Sequence, residues 1–270
     1  MNESIFSMLR TLREEAPLIH AITNPISITQ CANAVLALGA RPIMAEHPQE
    51  VEEITATAAA LLLNLGNITD VRMEAMRRSA GAAREAGVPV VLDAVGVACS
   101  RLRRDYAQQL LEQFPPAVLK GNYAEILALV RPDYTASGVD GDKSLTPAAV
   151  AKAAGEVARR YGCVVLASGE TDLVTDGTGF TAIHNGTPQL GWVTGTGCML
   201  GALCACFLAA ASPLEATKTA CIAMGVAGEL AATPKGNGTF LINLIDRLST
   251  LDGETIQANA RMEAFCYEED

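Results

Sequence analysis

Residues 60–93 read ALLLNLGNITDVRMEAMRRSAGAAREAGVPVVLD, and the fold turns on this stretch. Ala60 to Leu65 is an apolar run that ends at Asn64-Leu65-Gly66. Thr69-Asp70 supplies a capping side chain and an acidic first turn, and the helix they open runs to Gly87, a residue that stops helices. Val88 to Leu92 is again apolar and closes on Asp93. Neither run alternates polar with apolar, which is the pattern of a parallel strand buried on both faces. Strand, helix and strand in this order predict neighbouring strands of a largely parallel sheet joined by a helix.

The same alternation extends in both directions. Arg41 to Ala45 is strand-like, and Pro48 to Ala59 is helical with early acidic residues. A helix is predicted over Leu102 to Phe114, then a strand from Ala117 to Leu119 ending at Lys120-Gly121-Asn122. Helices over Tyr123 to Val130 and Pro147 to Tyr161 precede a buried strand at Cys163 to Ala167. Asp172 to Thr175 and Phe180 to Ile183, separated by Asp176-Gly177-Thr178-Gly179, predict a hairpin. After Gly197 the pattern is almost entirely helical. The expectation is an α/β protein, one domain over residues 1–270, with a mostly parallel central sheet flanked by helices on both faces. In such sheets ligands bind beyond the carboxyl ends of the strands, so the polar residues closing each apolar run become the candidates: Asn64, Asp93, and Lys120 with Asn122.

Composition narrows the function. Half of the 270 residues are apolar and only 4% aromatic, so the core is built from Ala, Val, Leu and Ile. Twenty basic against thirty acidic residues give a net charge of −10, which argues against nucleic acid or an anionic membrane as partner. Eight cysteines without a Cys-x-x-Cys pair fit a reducing, cytoplasmic compartment rather than a disulfide framework or a structural zinc site. The start, Met1 to Glu15, is charged throughout and has no signal-peptide core.

Val193-Thr194-Gly195-Thr196-Gly197-Cys198-Met199-Leu200-Gly201 is the segment richest in chemistry. Glycines let a backbone approach a ligand while a helix begins. The first helical turn offers free N–H groups and the positive end of the dipole to an anion. Cys198 falls in that turn, a position that leads us to expect a base or nucleophile. The turn is no Walker A loop, since no Gly-Lys pair occurs, and Gly195-x-Gly197-x-x-x-Gly201 misses the dinucleotide fingerprint by one residue. Glu125, one turn into the helix after Asn122, reads either as a capping carboxylate or as a partner of Asp93 in holding Mg²⁺ through its waters. Asp93 itself reads either as an N-cap or as part of an open site. His20, His47 and His184 lack ligand-spaced partners and read as satisfied or surface histidines.

Asn122-x-x-Glu125, Gly195-Thr196-Gly197-Cys198 and the α/β order resemble the ribokinase-like superfamily of small-molecule kinases, most of whose members have Asp where this chain has Cys198. With Ile22-Thr23-Asn24, Pro42-Ile43-Met44-Ala45 and Val193 to Met199 added, the chain resembles the hydroxyethylthiazole kinase family from Pro17 to Phe240. The resemblance implies ATP-dependent phosphorylation of the hydroxyl of 4-methyl-5-(2-hydroxyethyl)thiazole in thiamine salvage, with Mg²⁺ as cofactor. It implies Cys198 as catalytic base, with Asn24, Met44 and Gly195 at the thiazole. Lys120, Ser168, Thr196 and Gly197 fall at ATP and phosphate positions, and Asp93 and Glu125 at the metal. A homotrimer with sites at subunit boundaries is also implied. The chain departs from the family in Lys120 for Arg, Ser168 for Thr and Ala94 for Pro; Lys keeps the charge but loses the bidentate fork. Other readings on the same scaffold are an ADP/ATP-dependent NAD(P)H-hydrate dehydratase, a pyridoxal or hydroxymethylpyrimidine kinase, and a nucleotide-binding regulator without turnover.

Overall fold

The computed structural model describes residues 2–131, 133–134 and 145–266; Met1 and the outer limits of the expected 1–270 domain lie outside them. The first half of the chain runs α1 (Asn2–Glu15), β1 (Leu18–Ile22), α2 (Ile28–Ala37), β2 (Arg41–Ile43), α3 (Val51–Thr57), β3 (Ala60–Asn64), α4 (Asp70–Ala86), β4 (Val90–Asp93), α5 (Arg101–Gln113), β5 (Val118–Asn122) and α6 (Tyr123–Val130). It continues with α7 (Pro147–Tyr161), β6 (Val164–Ser168), β7 (Asp172–Thr175), β8 (Gly179–Ile183), a 3-10 turn at Pro188–Trp192, α8 (Thr196–Leu208), α9 (Pro213–Ala231), α10 (Asn237–Thr250), α11 (Gly253–Asn259) and β9 (Met262–Cys266).

The strands form one nine-stranded sheet in the order β2-β1-β3-β4-β5-β6-β7-β8-β9. Pairing is parallel from β2 through β6 and antiparallel from there to β9. The βαβ unit of residues 60–93 forms as its sequence dictates. Thr69 Oγ1 accepts the Arg72 N–H to cap α4, and Gly87 ends that helix at φ +70°.

Alternation along the buried strands divides the core in two. Leu62, Val91, Val118 and Leu166 pack with α1, α2, α8, α9 and α10 on one face. Leu61, Leu63, Leu92, Leu119 and Val165 pack with α3 to α7 on the other. Helix α8 is buried on nearly every side, as an all-apolar helix must be. Parity along the strands therefore directs Asn64, Asp93 and Lys120 to the α8 face.

Three sequence expectations are revised. Strand β2 stops at Ile43, leaving Met44 and Ala45 beyond it, and the helix expected from Pro48 shortens to α3 behind a turn at His47–Glu50. The C-terminal part is not helical throughout, because β9 pairs antiparallel with β8. Its sequence, Met262-Glu-Ala-Phe-Cys266, is short and carries helix formers. The extended state comes from tertiary pairing, anchored where the Arg261 guanidinium meets Glu229 at 2.6 Å and Arg261 N–H donates to Asn185 Oδ1 at 2.8 Å.

Candidate active site

Three adjacent strands end in a row. Asn64 is in register with Asp93, and Asp93 with Lys120. Lys120 Nζ donates to Asp93 Oδ1 at 2.9 Å, and Asn64 Nδ2 donates to Asp93 Oδ2 at 2.8 Å. All three residues are buried. Helix α8 crosses above them and can lie this close because it presents glycine: a Cβ on Gly201 would stand 3.2 Å from Asp93 Oδ2, and one on Gly197 3.8 Å from Lys120 Nζ.

The start of α8 is set by Gly195, whose φ of +96° favours glycine. A Cβ there would also meet Ser27 Cβ at 3.0 Å. Met199 N–H is the first to find a partner within the helix, Gly195 O at 2.8 Å. The N–H groups of Thr196, Gly197 and Cys198 remain for a ligand. The Thr196 hydroxyl points back, donating to Leu190 O at 2.7 Å and Val193 O at 3.1 Å, so it braces the turn. Three free N–H groups, the helix dipole and the Lys120 ammonium give this spot the chemistry that suits an anion, in a chain of net charge −10.

Burial opposes charge on Lys120, but Asp93, Cys198 and Glu125 around it outweigh burial and hold its pKa above the usual lysine value. Burial likewise pushes the Asp93 carboxyl up against the pull of Lys120 and Asn64. Among the described residues, the Lys120 ammonium is the only cation at hydrogen-bond distance from the Asp93 carboxylate.

Cys198 is half-buried at the rim. Its Sγ accepts N–H from Asn24 Nδ2 at 3.2 Å and from Asn64 Nδ2 at 3.4 Å. Asn24, expected at the substrate, is thus joined directly to Cys198. Met44 packs, half-buried, against the same core cluster as Cys198 and Val193. The segment carrying it is held by His20, whose Nε2 lies 2.9 Å from Ala45 O and whose Nδ1 lies 2.8 Å from Thr55 Oγ1. A carbonyl only accepts, so Nε2 carries the hydrogen and Thr55 donates to Nδ1.

Glu125 forms a capping box: Oε2 accepts Asn122 N–H at 2.7 Å while Asn122 Oδ1 accepts Glu125 N–H at 2.9 Å. Its Oε1 accepts Gly96 N–H at 2.7 Å. Burial pushes its carboxyl up to about 7, against the pull of Lys120 and the two backbone donors. Ser168 lies beside Asn122 in register and donates to Gly121 O at 3.3 Å. Asn24, Asp93, Lys120, Gly197 and Cys198 are therefore drawn together, whereas Ser168 and Glu125 sit around the end of β5. No group of three or more His, Cys, Asp or Glu residues that could hold a metal occurs among the described residues. Two carboxylates do suit Mg²⁺, which keeps its waters and takes few protein ligands when phosphates supply the rest. The sequence left Asn64 without a role; its only signal was its place at the end of an apolar strand.

A mostly parallel sheet with an antiparallel extension, flanked by helices and with helix α8 starting over its strand ends, is the fold of the ribokinase-like class of proteins. A ribokinase-like superfamily protein from Enterococcus faecalis V583 shares this fold at a TM-score of 0.60 and 12% identity, covering 87% of each chain. The chain belongs to the hydroxyethylthiazole kinase family, whose model matches residues 9–254. It is 40% identical over 267 residues to hydroxyethylthiazole kinase 2 of Clostridium botulinum (strain 657 / Type Ba4), covering 95% of this chain and 98% of that one. The structure of a hydroxyethylthiazole kinase protein from Pyrococcus horikoshii OT3 is similar at a TM-score of 0.88 and 35% identity, covering 96% of this chain and 98% of that one.

Proposed function

We propose that this protein transfers the γ-phosphoryl group of ATP to the hydroxyl of 4-methyl-5-(2-hydroxyethyl)thiazole, supplying the thiazole phosphate used in thiamine salvage and biosynthesis. The observation that carries this reading is the start of α8, where three free N–H groups and the Lys120 ammonium lie beside the Cys198 sulfur.

In the reaction the alcohol oxygen forms a bond to the γ-phosphorus as the bond to the β-phosphate oxygen breaks, and ADP leaves with that electron pair. Phosphoryl transfer asks mainly for alignment and charge stabilisation. The N–H groups of Thr196, Gly197 and Cys198, with Lys120 behind them, offset the charge on the transferring group. Cys198 Sγ, as thiolate, accepts the hydroxyl proton. A thiolate is a far weaker base than an alkoxide, so the proton moves late, and Cys198 assists rather than drives the step. Met44, set in place by the His20–Ala45 hydrogen bond, offers a thioether wall to the thiazole ring, with Asn24 and Gly195 bordering the same end. Ser168 borders the nucleotide. Asp93 and Glu125 would hold Mg²⁺ through its waters, and the ion would supply positive charge to the phosphates.

We assign the protein to the cytoplasm as a single domain over residues 1–270 and to a homotrimer with sites at subunit boundaries. The seven cysteines described are free thiols, in keeping with a reducing compartment. Ile26 and Trp192, 56% and 63% exposed, flank Asn24 and Gly195 in sequence and support an apolar neighbour beside the site.

Substrate choice is tested by comparing kcat/KM for the thiazole alcohol, pyridoxal and hydroxymethylpyrimidine, with ATP consumption on a nicotinamide-nucleotide hydrate as a fourth arm. The thiazole alcohol is expected to lead. Preference for any other member of the panel would overturn the assignment.

A further inference from the structure

The two amides on Cys198 have their orientations fixed by groups that can only donate. Asn24 Oδ1 accepts the backbone N–H of Ser27 at 3.1 Å and of Ile26 at 3.2 Å. Asn64 Oδ1 accepts Gly66 N–H at 2.9 Å and Asn24 Nδ2 at 3.0 Å. Neither amide can flip without setting its NH₂ against backbone N–H groups. Both Nδ2 atoms are therefore aimed at the sulfur, and Sγ is the acceptor in both contacts. Asn24 is 5% exposed and Asn64 fully buried, so neither amide exchanges these partners for water at low cost. Gly66 closes the arrangement: a Cβ there would fall 2.8 Å from Asn24 Nδ2 and 2.9 Å from Asn64 Oδ1.

We infer that Asn24 and Asn64 are positioning residues, an amide clamp that holds the Cys198 sulfur as a two-fold acceptor and turns its remaining direction to the open rim where the alcohol lies. The inference rests on the reading of Cys198 as the group that receives the hydroxyl proton. N–H donors on two sides stabilise the sulfur when it carries negative charge. They also bar its proton from the buried side, so a proton is exchanged only toward the rim. Through its second N–H, Asn64 ties the sulfur to Asp93 and hence to Lys120, linking the proton acceptor to the phosphate end in one rigid row. Around the sulfur the charged and titratable groups are Lys120 from β5, Asp93 from β4 behind Asn64, and Cys31 from α2.

Two variants remove one donor each and keep the side-chain shape. Asn64→Asp retains the acceptor for Gly66 N–H. Asn24→Asp retains the acceptor for Ile26 and Ser27, lies farther from Asp93, and carries the test if Asn64→Asp does not fold. Two readouts are taken on the full-length protein with folding checked by circular dichroism. One is iodoacetamide alkylation of Cys198 at neutral pH, mapped by mass spectrometry with exposed Cys99 as internal reference. The other is kcat and KM for ATP. The clamp predicts Cys198 alkylation slower by about tenfold or more relative to Cys99, and kcat reduced with KM for ATP little changed. Alkylation at the wild-type rate in both folded variants would overturn the clamp, whatever kcat does. Slowed alkylation with unchanged kcat would instead overturn its premise, removing Cys198 from the reaction.

Discussion

Lys120→Met keeps most of the aliphatic stem of Lys120 and deletes its ammonium. Asp93 is then left fully buried with only the 2.8 Å hydrogen bond from Asn64. Breaking a buried ion pair by removing one partner costs about 3–5 kcal/mol. The surviving Asn64 bond places this case near the lower end, about 3 kcal/mol, which in a chain of this size lowers Tm by about 6–12 °C. Asp93→Asn with Lys120→Met removes both charges, and the double variant should recover about 2 kcal/mol or more relative to the sum of the single changes. The pH dependence has a definite sign. Burial already pushes the Asp93 carboxyl up, and without Lys120 the opposing pull falls to Asn64 alone. The folded state of Lys120→Met then binds a proton more tightly than the unfolded chain, so its deficit shrinks as pH falls below neutrality. Urea unfolding of wild type, both single variants and the double variant, near neutrality and about two pH units lower, measures all of this. Additivity within about 0.5 kcal/mol, or a deficit that grows with acid, would refute the buried-pair argument.

Cys198→Ala should lower kcat by about 10²-fold while leaving KM for ATP close to wild type, as steady-state kinetics will show; unchanged kcat removes the thiol from the mechanism. Gly195→Ala forces a side chain onto a φ of +96° and sets Cβ 3.0 Å from Ser27 Cβ. A stability loss of about 1–2 kcal/mol with a raised KM for ATP is expected from denaturant unfolding and kinetics. His20 has its pKa lowered from 6.5, chiefly because burial disfavours the imidazolium. Its neutral ring therefore contributes stability that is complete above that value and lost as pH falls toward the folded pKa. Thermal unfolding across this window should show a shallower acid loss in His20→Asn than in wild type.

The helices and buried strands were legible because their signals are local. Val90–Asp93, flanked by Gly87 and a run of small residues, has one reading under the periodicity of parallel strands, and α6 and α7 begin and end where their caps dictate. Strand β9 was not legible, since its extended state depends on β8 and on Arg261 reaching Glu229, a partner 32 residues away. In the site, sequence placed Asp93 and Lys120 at strand ends but carried no information on register. Register turns separate strand ends into a row and brings Lys120 onto Asp93. Glu125 had two readings from sequence; its capping geometry is formed, and its part in holding Mg²⁺ is the proposal made above. The role of Asn64 was hidden for the same reason: an amide at a strand end takes its meaning from what folds above it, here the sulfur of α8.

The most direct measurement is the fate of phosphate when the protein is incubated with Mg²⁺, ATP and 4-methyl-5-(2-hydroxyethyl)thiazole, with ADP and the thiazole phosphate ester both quantified by mass spectrometry. The account predicts ADP release that requires the alcohol, with one ester formed for each ADP. ATP bound but no ester formed, or ADP released at the same rate without the alcohol, would contradict it.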